Sequence, residues 1–435
     1  MKIPTSITTQ QLSRWGLLVS LAAIIASNPA FGEQSATEYA DFYTGKEGTS
    51  NKGIDWVQSI MVTSPGVGSD IKGDVTVNFT APGMASAKAS CWQQPTPANP
   101  STWGHDVDVA PNIKLDDEGN GSFVFPADQF PNGPITLRIY AKDTGKKQDM
   151  YQLQLFNQGG AVWNQGIPKT DPPAAAGMKL GFADDFDKPL SISNNGAGAT
   201  YQGHKTGGGD FSGYIFSNNE GPNNPFSQVG TWLRIHASKP EGTKGSTGII
   251  SSAHEDGGGF YASAPCYFEC RFLAQSAPGA WPAFWLLTRP EKGSTIKGCD
   301  ELDVIEAYGG MGPRNPNFIG YAATTHYWGQ KGPDGKQLSA GHTDVPMMKL
   351  GGKSTWSTTF HTYGVKITKT DTIYYFDDIE VLRHPSGELS KTLPFFFMVN
   401  YAIGGISGWH IDLARYGNQS DMWVDYVRVY QGAKE

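Results

Sequence analysis

At 435 residues, with 54 glycines, 12% aromatic and 17% charged residues, the chain exceeds one small domain, and two folded units are expected. A formal net charge of −7 gives no basic footprint for nucleic acid and disfavours strongly anionic partners. Short strand-like runs divided by Gly, Asn, Asp and Pro, without long stretches of helix formers, predict an all-β protein.

The N-terminus carries Lys2 and Arg14, then the apolar run "WGLLVSLAAIIA" from Trp15 to Ala26. Ala30 and Gly32 in "SNPAFG" suit a signal-peptidase site, and the apolar run is too short to span a bilayer comfortably. Residues 1–32 are therefore read as a signal peptide, followed by an N-terminal extension at 33–55. The mature chain is expected to be secreted or periplasmic, with no membrane span after signal removal, and to be a monomer.

From Trp56 to Phe156 the runs "DVTVNFT", "GSFVFPA", "ITLRIYAKD" and "MYQLQLF" alternate with period 2, and "SPGVGSD", "DDEGNG" and "FPNGP" supply turns between them. This rhythm predicts an immunoglobulin-like β-sandwich at 56–157. Trp92 and Trp103 are its candidate sugar platforms outside the first strand, and a spacer role is favoured. Residues 158–177, "QGGAVWNQGIPKTDPPAAAG", lack regular pattern and read as a linker.

The larger unit, 178–432, contains "TWLRIHAS", "PCYFECRFLA", "PAFWLL", "ELDVIEAY", "FHTYGVKI", "DTIYYFDD" and "FFFMVNYA", enough strands for two large packed sheets. In "CYFECRF" one face carries Cys266, Phe268, Cys270 and Phe272, and the other Tyr267, Glu269 and Arg271. A sheet face of aromatic and charged residues is a candidate binding surface, and Arg271 is counted among the substrate-binding candidates. Cys266 and Cys270 are too distant along a strand to bridge, so mostly free, buried thiols are expected. No Cys and His spacing resembles a zinc site.

"CDELDVIEAYGG", residues 299–310, sets Glu301, Asp303 and Glu306 in an otherwise strand-like run. Glu301 and Asp303 share a face, whereas Glu306, five residues from Glu301, has the wrong parity. A β-bulge within Asp303 to Glu306 restores it and turns all three acids into one groove. Crowded carboxylates raise one another's proton affinity, so one stays protonated while another ionises, as glycosidic cleavage requires. Carboxylates about 5 Å apart belong to retaining enzymes, and neighbours on one strand suit that spacing. The string alone is equally compatible with calcium ligation or a solvated acidic face.

Its surroundings add weight. Trp281 and Trp285 in "GAWPAFWLL" share a strand face and can stack on a pyranose, although core packing explains them as well. "TTHYWGQ" offers His326 and Trp328, and "NYAIGGISGWH" offers Asn400 and Trp409. Gly309 to Thr343 reads as a long loop at the rim of the cleft.

"WPAFWLL", "ELDVIE", "FHTYGVKI", "IYYFDD", "NYAIGG" and "VDYVRVYQ", in this order across about residues 178–432, resemble glycoside hydrolase family 16, the laminarinase and lichenase superfamily of β-jelly-roll endoglycanases. The acid motif resembles the bulged E-x-D-x-x-E branch. The resemblance implies a concanavalin A-like jelly-roll, with Glu301 as nucleophile, Asp303 as assisting acid and Glu306 as general acid/base. It also implies a cleft lined by Trp281, with Trp285 and His326 nearby, and no cofactor for catalysis. A structural calcium would fall to Asp185 and Asp425. Cys299 and Asp300 stand where laminarinase-like members often carry a Trp, which leaves the polymer open between β-glucans and bacterial exopolysaccharides. Transglycosylation through the same intermediate, and non-catalytic carbohydrate binding on the same fold, are the alternatives.

Overall fold

The computed structural model describes residues 54–97, 104–290, 294–310, 320–350, 354–407 and 410–433. The expected signal peptide, nearly all of the N-terminal extension, Trp103 and Trp409 lie outside the described residues. Among the described residues no helix is long and apolar enough to cross a membrane.

The chain is all-β. Its N-terminal part builds two sheets that share a core. One runs in the order Asp55–Trp56, Lys147–Asn157, Gly133–Lys142, Ser86–Gln93 and His105–Ile113, with Asp70–Ile71 beside Lys147–Asn157. The other joins Met61–Ser64, Asp74–Thr80 and Asn120–Pro126. In Asn120–Pro126 exposed and buried positions alternate, and Phe123 and Phe125 belong to the same buried core as Leu137 and Leu153 of the first sheet. Alternation of this kind is what a sheet with one face on a core and one face in water imposes.

The 158–177 segment is bound to the larger unit rather than free. Pro173–Ala175 forms a single 3-10 turn, and Ala174 and Ala175 pack on Tyr267 and Tyr430. The Tyr430 hydroxyl donates to Asp171 at 2.9 Å. The two β units also meet directly. Arg415 donates to the Asp149 carboxylate at 2.8 Å, both side chains being buried, and Tyr151 stacks on Tyr416.

The larger unit is a jelly-roll sandwich of two sheets. In the outer sheet Cys266–Ala274 lies between Gln419–Gln431 and His361–Ile367. In the inner sheet Ala280–Thr288 lies between Phe395–Ile403 and the acid strand Cys299–Glu306. Phe268 from the outer sheet meets Phe397 from the inner one, with ring centroids 6.3 Å apart. Cys266, Cys270 and Phe272 are fully buried on the same face, as alternation requires. All four cysteines are free thiols; Cys91, Cys266 and Cys270 are buried, and Cys299 is half-buried.

One stretch departs from expectation. Within the supposed loop from Gly309 to Thr343, Tyr321–Lys331 pairs with the acid strand and Gln337–Val345 pairs with it in turn, extending the inner sheet. The Thr, Tyr and Trp residues of "TTHYWGQK" are strand formers. Their polar character reflects an inner face that opens onto a cleft rather than onto a loop.

Candidate active site

The pairing register around the acid strand fixes the site. On one side Asp303 faces Trp285 while Ile305 faces Phe284, so Val304 is an extra residue without a partner. On the other side Glu301 faces His326 and Asp303 faces Thr324, and the register then shifts before Glu306 meets Ala322. This is a β-bulge, which reverses parity beyond it. Leu302, Val304 and Ile305 are buried in the core, while Glu301, Asp303 and Glu306 all line one cavity of about 560 Å³.

Trp281, Trp285, His326, Trp328 and Asn400 line the same cavity. The Trp281 indole donates to Glu306 at 3.2 Å. Trp285 donates to the Asn400 side-chain oxygen at 2.8 Å, and the Asn400 amide donates to the Trp281 carbonyl at 3.1 Å. Asn400 therefore holds both tryptophans from the neighbouring strand. His326 Nε2 lies 3.4 Å from Asp303, and its ring stacks on Trp328, which is 45% exposed at the rim.

Burial is the main influence on all three acids. It lifts the Glu306 carboxyl, with repulsion from Asp303 adding to it, up to about 8 despite the Trp281 hydrogen bond. Asp303 is pushed well above the carboxylate range by burial and then by Glu301. Glu301 is raised by burial too, but a hydrogen bond from Trp328 and the nearby His326 and Lys205 pull it back. One cleft thus holds an acid, Glu306, with a proton to give at neutral pH and a neighbour, Glu301, on which nearby donors and cations oppose the effect of burial. Oxygen atoms of Glu301 and Asp303 and a ring nitrogen of His326 lie within 4.8 Å of one another.

Lys205, Phe211, Tyr308 and Ile406 line the cleft as well. Lys205 and Phe211 come from the glycine-rich "GHKTGGGDFSG", Tyr308 from beyond the acid strand and Ile406 from the turn after Phe395–Ile403. Phe211 sits edge-on to Trp281 and Trp285 at 5.4 and 5.7 Å, and Tyr308 stacks on Trp281. Tyr308, two residues past Glu306, was open to the same parity reasoning; the others reach the cleft through chain reversals.

Two sets of candidates lie apart from the cleft or are differently engaged. Arg271 does not join the cleft: it lies on the far face of the outer sheet, with Nη1 2.5 Å from the Asp425 carboxylate. Asp185 and Asp425 do not fit a calcium ion in this arrangement. One Asp425 oxygen takes the Arg271 guanidinium and the other the Gly166 amide at 3.0 Å, so a cation there would oppose a buried guanidinium.

A buried, bulged strand that turns carboxylates of unlike proton affinity into a tryptophan-lined groove defines an acid–carboxylate cleft on a β-sandwich. Residues 235–426 match the model of the glycosyl hydrolases family 16, which supports that family for this segment. Over 170 residues, 39% of this chain, the sequence is 34% identical to the endo-1,3-1,4-beta-glycanase EglC of Rhizobium meliloti, of which the match covers 31%. It is 28% identical over 176 residues to a beta-glucanase of Rhodothermus marinus, covering 56% of that protein. The chain thus spans well under two thirds of these relatives. Among solved structures, a laminarinase from Flavobacterium sp. UMI-01 aligns over 58% of this chain and all of its own, with a TM-score of 0.44 and 22% identity.

Proposed function

We propose that the protein is an exported, endo-acting, retaining glycoside hydrolase that cleaves β-linked polysaccharide, either a 1,3- or 1,3-1,4-linked β-glucan or a bacterial exopolysaccharide. The observation that carries this reading is the bulge, which brings Glu301, Asp303 and Glu306 into one cleft. Glu301 attacks the anomeric carbon while Glu306 gives its proton to the departing glycosidic oxygen, leaving a glycosyl–Glu301 ester. Water, deprotonated by Glu306, then attacks the same carbon and frees the Glu301 carboxylate. Asp303 keeps its proton and donates it in a hydrogen bond to Glu301, favouring the ionised nucleophile. The cleft tryptophans hold pyranose rings against the acids.

A lectin has no use for buried carboxylates whose mutual repulsion disfavours folding, which counts against the binding-only alternative. Transglycosylation shares the first half-reaction and differs only in the acceptor. Trp92 of the N-terminal sandwich is buried against Trp163, which supports a spacer role for that unit over a sugar platform. Export rests on the N-terminal sequence.

The test is reducing-end release by the wild type, Glu301→Gln and Glu306→Gln on β-1,3-glucan, mixed-linkage glucan, galactan and exopolysaccharide, with products resolved by size. The wild type is expected to give a ladder of oligosaccharides and both variants almost none. Undiminished release by the two variants sinks the assignment. Products longer than the starting oligosaccharide identify transfer.

A further inference from the structure

The outer sheet carries a second cavity, of about 340 Å³, on the face turned away from the core, and it shares no lining residue with the acid cleft. This is the face that carries Glu269 and Arg271, opposite the core-facing cysteines. Tyr426 and Arg428 of Gln419–Gln431 complete its floor. The 158–177 segment supplies one wall through Trp163 and Asp171, and the hairpin turn Asp377–Asp378 supplies the opposite rim.

The fixed charges of this cavity are largely satisfied within the protein. Glu269 accepts from Arg428 Nε at 2.6 Å, from Tyr267 at 2.6 Å and from Tyr426 at 3.0 Å. Arg271 is held by Asp425, and Asp377 by His361 at 2.6 Å and the Thr362 amide at 2.8 Å. A charged ligand would disturb these pairs, whereas a neutral one need not. Polar groups remain for it: Arg428 Nη1 is buried without a hydrogen-bond partner among the described residues, and Asp378 is exposed at the rim. Apolar surface is provided by Trp163 and Phe360, each with the Arg271 guanidinium over its ring, at 5.7 and 4.9 Å. The volume falls in the range of small-molecule sites, about 300–1,000 Å³.

Hydroxyl-seeking donors and acceptors, compensated charge and two half-buried aromatic side chains match the chemistry of a sugar ring. We propose that the cavity is a second, non-catalytic saccharide-binding site that holds a neutral glycan on the far side of the sandwich from the cleft. This rests on the reading of the protein as a polysaccharide-acting enzyme. In this arrangement the 158–177 segment is a wall of the site, fixed from behind by the tilted contact of Trp163 with Trp92, ring centroids 4.7 Å apart.

The experiment titrates full-length Glu301→Gln, which binds without turnover, with β-1,3-linked and mixed-linkage glucan hexasaccharides by calorimetry. Two sites per chain are expected. Adding Trp163→Ala or Asp378→Asn should weaken one of them about tenfold and leave the other unchanged. Thermal melts confirm that each variant is folded, and the surface change at Asp378 preserves the test if Trp163→Ala is not. A single site, or two sites that neither substitution affects, overturns the proposal. Parallel reducing-end assays separate it from the parent reading. Cleavage by the wild type with only one site refutes the second site alone. Trp163-dependent binding without any cleavage refutes the enzyme alone, and neither binding nor cleavage refutes both.

Discussion

The acid cleft and the outer-sheet cavity both hold buried carboxylates, and they differ in what stands beside them. Burial raises the proton affinity of Glu269, but the next influence, Arg428, opposes it. Burial raises Glu306 likewise, but the next influence is Asp303, which pushes the same way. At the contact with the N-terminal unit, Asp421 goes further: hydrogen bonds from His236 and Arg234 outweigh burial and bring it below the usual carboxylate range. One fold therefore places acids in three electrostatic settings. At Glu306 no guanidinium opposes burial and its carboxyl is held up to about 8, a proton affinity suited to acid catalysis.

Changes to the cleft carboxylates should have the largest effect on rate and little on folding. Glu301→Gln and Glu306→Gln are each expected to lower kcat by about 10³-fold or more, measured by reducing-end release, with the fold intact by circular dichroism. The opposite pattern is expected on the outer sheet. Arg428→Met leaves Glu269 as a buried charge without its cation and should destabilise the protein by about 3–5 kcal/mol in denaturant titration. Catalysis by the folded fraction should persist. Equal loss of stability from Glu306→Gln would erase the distinction.

The pH response sharpens the contrast further. Glu306 must be protonated to act, so kcat/KM should fall as pH rises through about 8. The folded-state value lies above that of the unfolded chain, so the folded protein retains the proton longer. The resulting penalty is absent below the unfolded carboxylate pKa and grows as pH rises toward about 8. Glu306→Gln should therefore raise Tm relative to wild type at pH 9 but not at pH 4, a crossover that scanning calorimetry can read. The smallest effect is expected from Trp285→Phe, which leaves the buried Asn400 oxygen without its 2.8 Å donor. A loss of about 1–3 kcal/mol in stability, with KM rising more than kcat falls, would mark Asn400 as a clamp on the two cleft tryptophans.

Much of the cleft was legible because it rests on local parity. Glu306 is out of phase with Glu301, and only a bulge between Asp303 and Glu306 reconciles them, so the chain itself specified a geometric irregularity. Trp281 and Trp285 were ambiguous between core and platform; in the structure they are buried, yet they line the cleft and their indoles reach Glu306 and Asn400. The strand Tyr321–Lys331 was hidden by its polarity, because residues facing a wet groove do not show the hydrophobic alternation of a strand on a core.

Alternation along a strand is set by its two-residue period, so the sequence by itself determined the all-β class, the buried face of Cys266 to Phe272 and the grouping of the three acids. It determined as well that Arg271 and Glu269 share a face, but not which face of the molecule that is. Only the tertiary structure decided that Arg271 meets Asp425 and that Lys205 and Phe211 turn back over the cleft. It also decided that the 158–177 segment packs on the outer sheet. Such pairings join residues distant in sequence, and their energy depends on which strands become neighbours and which surfaces they remove from water.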